Sequence, residues 1–440
     1  MSPDASTNGN INANGNVNDN ANNGHNDNNT NQNTYEPDGS IGGTVRFTGV
    51  TWSPGADLAE TKEANRFPIP GALVAAYSSP PDELPQEMYC NECVEIPSHV
   101  PNTLSDSVDG SFELTLWPGK TYYLVVQKGE FRRVRQIQMP DAPGEEFTFE
   151  AEAPGVPRPS ETTLPTSTNL AIGDNIPKIA IVDGRYEDQS IMFEALGFDY
   201  GVEFDVYDSD TAADLVGDLD NLKNYNLIIF PCGESWVDDG NTVENLREYV
   251  KQGGKLYIDD FAYDYAEQVW PEFLVFYTRA DSFDGSPAAV CGDGQDTPPN
   301  ECNDWVGSYD FIGIPGNESF ESWIELDQVN GSGPIELVAA WDSIYEINEG
   351  VVGIDPDNGT GPNGEVYQLP TVWMYGDETP AGLDKPTTVA WPYHCGKVLY
   401  TVYHTHSASD ADDYELLLQE KIMIYLIMEI QTCSQDPIVR

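Results

Sequence analysis

Apolar and polar positions alternate strictly through Ser111-Phe112-Glu113-Leu114-Thr115-Leu116, the period of a strand with one buried face. The turn pairs Asp109-Gly110 and Pro118-Gly119 bracket it. Residues 44–50, 72–77 and 122–126 read as further short strands, so 39–153 predicts a small all-β sandwich. From residue 176 the pattern changes. Apolar runs within 178–182, 204–207, 227–230 and 256–258 read as strands, the first of them covered on both faces. Helices are predicted at 187–196, 210–222, 242–252 and 261–269, with Gly253-Gly254 ending the third. This alternation predicts an α/β doubly wound parallel sheet. Residues 277–385, rich in Gly, Pro, Asp and Asn, break the rhythm and read as a long irregular insertion with short strand candidates such as 336–340. The sheet resumes at 388–390 and 396–403, and 415–430 is the last helix.

Two segments lack either pattern. Residues 1–38 place Asn at alternate positions from Asn8 to Asn20 and carry almost no apolar side chains, so they predict a disordered tether. Residues 154–175 hold Pro154, Pro157, Pro159 and Pro165 and predict an extended linker. The expected organisation is therefore multidomain: tether 1–38, β-sandwich 39–153, linker 154–175, and an α/β domain 176–440 interrupted by 277–385.

Charge narrows the partners. With 74 acidic against 20 basic residues the net charge is −54, which argues against nucleic acid and anionic membrane surfaces. Acid spread over the whole chain self-repels unless salt screens it. The chain reads either as suited to high ionic strength or divalent cations (a halophilic habit), or as an ordinary acidic secreted protein. No run of 18 apolar residues predicts a transmembrane segment.

Seven cysteines fit no zinc-finger spacing. Cys90 and Cys93 in a C-x-x-C loop predict a local disulfide, as do Cys291 and Cys302 around a Gly/Asp/Pro loop. Cys232, just after a strand, is expected buried and free. Disulfides favour an extracytoplasmic location, on the surface, in a periplasm or secreted, although this sequence shows no export signal at Met1. Asp293, Asp296, Glu301 and Asp304 offer oxygen ligands to Ca²⁺, with a solvated loop as the alternative, and Asp355, Asp357 and Asn358 form a second such group. No other cofactor is read.

Two resemblances follow from specific strings. Val108-Asp109-Gly110-Ser111-Phe112-Glu113-Leu114, then Pro118-Gly119-Lys120-Thr121-Tyr122-Tyr123, resembles the carboxypeptidase regulatory-like (transthyretin- or Cna-B-like) domain, which implies a structural or adhesive module. Tyr225-Asn226-Leu227-Ile228-Ile229-Phe230-Pro231-Cys232-Gly233 with Gly253-Gly254-Lys255-Leu256-Tyr257-Ile258-Asp259-Asp260 resembles class I glutamine amidotransferase-like (flavodoxin-like) domains over 176–276 and 386–431. That resemblance implies a nucleophilic cysteine where Asp260 stands, and a His-x-Glu pair where His404-Thr405-His406 stands. The domain reads as a degenerate member, a pseudoenzyme.

The expected function is a non-catalytic, lipoprotein-like surface or secreted protein with a structural or binding role toward protein or polysaccharide. Two alternatives stay open. Asp259, Asp260, His404 and His406 are the candidate pocket for a metal-dependent or His/Asp hydrolase. The aromatics of the insertion and its flank, among them Trp270, Phe273, Phe276, Trp305, Trp323, Trp341 and Trp373, are candidates for stacking on carbohydrate.

Overall fold

A computed structural model describes residues 43–90, 96–149, 153–208, 211–233, 240–277, 306–348, 350–354, 365–404 and 414–432. The described residues form one compact unit. The predicted tether 1–38 lies outside the described residues. The fold mixes α and β, with many strands and few helices.

The first part is built from strands β1 (Val45–Val50), β2 (Leu73–Tyr77), β3 (Asn102–Leu104), β4 (Ser111–Leu116), β5 (Thr121–Lys128), β6 (Phe131–Gln138), β7 (Glu146–Thr148) and β8 (Asp174–Asn175). They form sheets of order β4-β1-β7 and β3-β2-β5-β6-β8. The alternation in β4 does what its period dictates: Phe112, Leu114 and Leu116 are buried while Glu113 and Thr115 face solvent. Those three side chains share one core with Val74, Leu124 and Val126 of the other sheet. The Pro-rich connection 154–175 is packed rather than extended. Leu164 is buried, Thr163 bridges to Trp52, and Arg158 Nη2 pairs with Glu63 Oε1 at 2.5 Å.

The second part begins with β9 (Ile179–Val182), β10 (Phe204–Tyr207), β11 (Leu227–Phe230) and β12 (Lys255–Asp259). Further strands are β13 (Leu274–Phe276), β14 (Tyr309–Pro315), β15 (Glu336–Ala340), β16 (Ile344–Ile347), β17 (Gly350–Ile354), β18 (Glu365–Gln368), β19 (Thr371–Thr379), β20 (Gly382–Tyr393) and β21 (Gly396–Thr401). One nine-stranded sheet runs β10-β9-β11-β12-β21-β20-β19-β14-β15. Its first five strands are mutually parallel, and antiparallel pairing begins at β21–β20. The segment expected as an irregular insertion thus supplies strands to the same sheet.

Helices are α1 (Ser190–Ala195), α2 (Ala212–Val216), α3 (Leu219–Leu222), α4 (Gly240–Lys251), α5 (Asp264–Glu267), α6 (Glu318–Ile324) and α7 (Leu418–Gln431). The single helix expected over 210–222 breaks in two because Asp218 caps α3, its carboxylate accepting from the Asp220 amide at 2.9 Å. Helix α1 starts later than expected because Asp188 accepts from the Ser190 amide at 3.0 Å, leaving Glu187 and Gln189 free to point inward. In α7 nearly every side chain is buried, the polar Gln419, Glu420, Lys421 and Gln431 included.

The predicted Cys90–Cys93 bridge is corrected: Cys90 pairs with Cys395, 305 positions away. Cys93 lies outside the described residues, as do Cys291 and Cys302. The chain at Tyr89-Cys90 lies flat against the α4–β12 turn, where a Cβ on Gly253 would sit 2.2 Å from the Tyr89 carbonyl. Gly253, at φ +119°, is the residue type that permits both the turn and that approach. Such a cross-link contributes roughly 2–4 kcal/mol, mainly by restricting the unfolded chain. It is reinforced by ion pairs between the two parts, Lys255 Nζ–Glu130 Oε1 at 3.0 Å and Lys128 Nζ–Glu429 Oε1 at 2.5 Å.

Candidate functional site

Strands β11, β12 and β21 lie side by side and parallel, so their carboxyl ends open on one edge of the sheet. Apolar Leu227–Phe230 and Leu256–Ile258 anchor the strands in the core and deliver Cys232, Asp259-Asp260 and His404 just beyond them. The chain turns sharply at Asp260, which has φ +40°, a left-handed conformation uncommon outside Gly but tolerated by Asp and Asn better than by most side chains. The surrounding hydrogen bonds hold it there. Asp260 Oδ1 accepts from the Trp341 amide at 3.0 Å, its main-chain oxygen accepts from Tyr400 Oη at 3.1 Å, and Oδ2 contacts His404 Nδ1 at 2.6 Å. The Cys232 thiol donates to the same Oδ2 across 3.9 Å.

Behind this lies a second acid pair. Glu187 Oε1 accepts from the Cys232 amide at 2.7 Å and from Gln189 Nε2 at 3.2 Å. Gln189 Nε2 also donates to Asp259 Oδ2. Glu187, Gln189, Cys232, Asp259, Asp260 and His404 are all buried. The Trp341 ring stands edge-on to His404 at 5.2 Å, and the Gln419 amide donates to the His404 carbonyl.

Burial sets the protonation of this cluster. It pushes Asp260 up to about 6, the His404 contact holding it back from going further. Burial, then the neighbouring Glu187, pushes Asp259 well above the usual carboxylate range. For His404 burial acts downward, but the Asp260 bond and the Glu187 charge outweigh it and raise the imidazole above 6.5. The Cys232 thiol is raised far above its usual value by burial and by Asp260, Glu187 and Asp259 in turn, the reverse of what an attacking thiolate needs.

Of the expected pocket, Asp260 and His404 meet directly, while Asp259 is adjacent and hydrogen-bonded to Gln189. His406 lies outside the described residues, as do Asp293, Asp296, Glu301, Asp304, Asp355, Asp357 and Asn358. Four participants were not foreseen: Cys232, Glu187, Gln189 and Trp341. Cys232 was expected only as a buried free thiol, which it is, but it also touches Asp260. Its place at the end of the strand beside β12 was the available signal. Glu187 and Trp341 sit in loops whose direction no periodicity reports. The proposed stacking aromatics Trp270, Phe273, Phe276 and Trp323 are core residues, each no more than 2 % exposed, and present no face to a sugar.

No protein-family model matches the sequence, and no curated protein matches it. Solved structures with partial likeness include a cytoplasmic protein from Salmonella typhimurium, 15% identical, with a TM-score of 0.31 over 58% of this chain and 99% of that one. A thua-like protein from Bacteroides uniformis is 13% identical, with a TM-score of 0.30 over 57% and 88%. A beta-galactosidase from Rahnella sp. R3 is 12% identical, with a TM-score of 0.27 over 59% of this chain and 32% of its own. Scores at this level do not establish a common fold.

Proposed function

We propose that this chain is a non-catalytic extracytoplasmic protein with a structural or binding role, built from a carboxypeptidase regulatory-like β-sandwich and a degenerate amidotransferase-like, doubly wound α/β domain. The observation that carries this reading is Asp260. It occupies the turn where the resemblance requires a nucleophilic sulfur, and its carboxylate is committed to the Trp341 amide and to His404. An amidotransferase needs a thiolate positioned against its base. Here Oδ2 of Asp260 contacts both the imidazole and the thiol, and Cys232 is held in its protonated form. The Cys90–Cys395 cross-link supports an oxidising compartment. The net charge of −54 supports a salt-rich or cation-rich exterior. Among the described residues no helix is long and apolar enough to cross a membrane.

The test is ammonia release from glutamine by the purified chain. No release above the buffer blank is expected. Release that stops on thiol alkylation would overturn the reading.

A further inference from the structure

The cluster at the strand ends holds more acid than its own cations offset. Glu187, Asp259 and Asp260 are buried beside a thiol, with His404 as the imidazole in contact with Asp260. Two polar atoms there, Asp259 Oδ1 and Gln189 Oε1, are buried without a hydrogen-bond partner, although both residues are wholly inaccessible to solvent. An orphaned carboxylate oxygen in a dry interior costs free energy unless something meets it.

Cys232 Sγ, a carboxylate oxygen of Asp260 and a ring nitrogen of His404 lie within 4.8 Å of one another, with Sγ···Oδ2 at 3.9 Å and Nδ1···Oδ2 at 2.6 Å. We propose that these three atoms bind one transition-metal ion of the Zn²⁺ class, which ties together the carboxyl ends of β11, β12 and β21. The donor set decides the class of ion. Thiolate and imidazole select zinc-like metals over Ca²⁺ or Mg²⁺, which take oxygen alone. Zinc bonds of about 2.0–2.3 Å set tetrahedral ligand atoms roughly 3.3–3.7 Å apart. The Sγ···Oδ2 distance of 3.9 Å is already near that spacing, and the Nδ1···Oδ2 contact of 2.6 Å has to open by about 1 Å. Three protein donors are thus in place, and Asp259, whose carboxylate turns onto Gln189, lies outside the set. Coordination takes the thiolate, so the thiol proton and the proton shared by Asp260 and His404 leave as the ion enters. The fourth position of a tetrahedral ion is left to a water molecule. The role given to the ion, tying three strand ends together, rests on the non-catalytic reading above.

The experiment uses the full chain, exchanged into zinc and then freed of loose metal, with metal content measured beside thermal unfolding. About one zinc per chain is expected, and its removal by chelator is expected to lower the unfolding temperature. Cys232→Ser and His404→Gln should each lose the ion. Co²⁺ in place of zinc should give a thiolate-to-cobalt charge-transfer band that Cys232→Ser abolishes. A folded chain that binds far less than one equivalent overturns the proposal, as does zinc retained undiminished in both variants. If the variants do not fold, peptide-mapped alkylation of the natural chain in mild urea decides: zinc-dependent protection of Cys232 supports the site, and equal labelling with and without zinc overturns it. The two readings fail separately. Ammonia release from glutamine would sink the non-catalytic reading with the metal still in place, whereas an absent metal leaves that reading standing.

Discussion

Raising the pH from 5 to 8 is expected to cost the folded, chelator-treated chain about 4 kcal/mol of stability. Two buried carboxyls carry the effect. Asp260 is pushed up to about 6 by burial, with His404 opposing, and it also faces Cys232 and Glu187. Glu420 is pushed up to about 7 by burial, despite the hydrogen bonds from Tyr414 and the Leu417 amide, with Glu187 adding to the rise. A carboxyl whose pKa is higher in the folded chain than in the unfolded one favours folding while it is protonated. That contribution is complete below about pH 4 and disappears as the pH climbs through 6 for Asp260 and 7 for Glu420. Asp259 and His404, both raised, act in the same direction. His394, lowered by burial, and Lys397, lowered by burial to about 8, act oppositely within this window and offset a part of the fall, whereas the lowered Glu63 and Glu248 act only below it. Urea unfolding at several pH values in constant molar NaCl isolates these interior groups from screened surface repulsion. A steady fall toward pH 8 is predicted, with Glu420→Gln flattening the upper part of the curve. A flat or rising profile would contradict the account.

Lys255→Met is expected to destabilise the chain by about 3–5 kcal/mol, because it leaves a carboxylate buried without its countercharge. Lys255 starts β12 and Glu130 sits in the turn after β5, with side chains only 2% and 3% exposed. Their 3.0 Å contact joins the two parts of the chain. Glu130→Gln should cost a comparable amount. The double change Lys255→Met with Glu130→Leu should cost much less than the sum, since two apolar side chains can fill a dry site that neither charge can occupy alone. A double-mutant cycle by urea unfolding checks this. Additive single effects would place the pair in a solvated rather than a buried setting.

What the sequence disclosed follows the range of its signals. The period of Ser111–Leu116 and the apolar runs of β9, β11 and β12 report burial locally, and those strands formed where the pattern put them. Asp260 and His404 were legible because each follows a readable strand. The antiparallel half of the large sheet was legible only in pieces, 336–340 for β15 and 388–390 within β20, while β14 and β19 were not read. Strand β20 contains Pro386 and Pro392, which argue against a strand, and its pairing with β19 shifts register on either side of Met374. The cross-link from Cys90 to Cys395 escaped because the nearer Cys93 offered a local solution, while the true partner is fixed only by the packing of Tyr89 on Gly253. Glu187 reaches the cluster from a loop, where side-chain direction has no sequence period.

The most direct measurement is the alkylation rate of Cys232 in native, metal-free protein at neutral pH, followed by peptide mapping so that the other cysteines do not interfere. With the thiol buried, protonated and turned onto Asp260, labelling should proceed only as fast as the chain unfolds, and denaturant should accelerate it steeply. Rapid stoichiometric labelling of the folded chain would reveal an activated thiolate beside His404, and the assignment of this centre as chemically silent would be wrong.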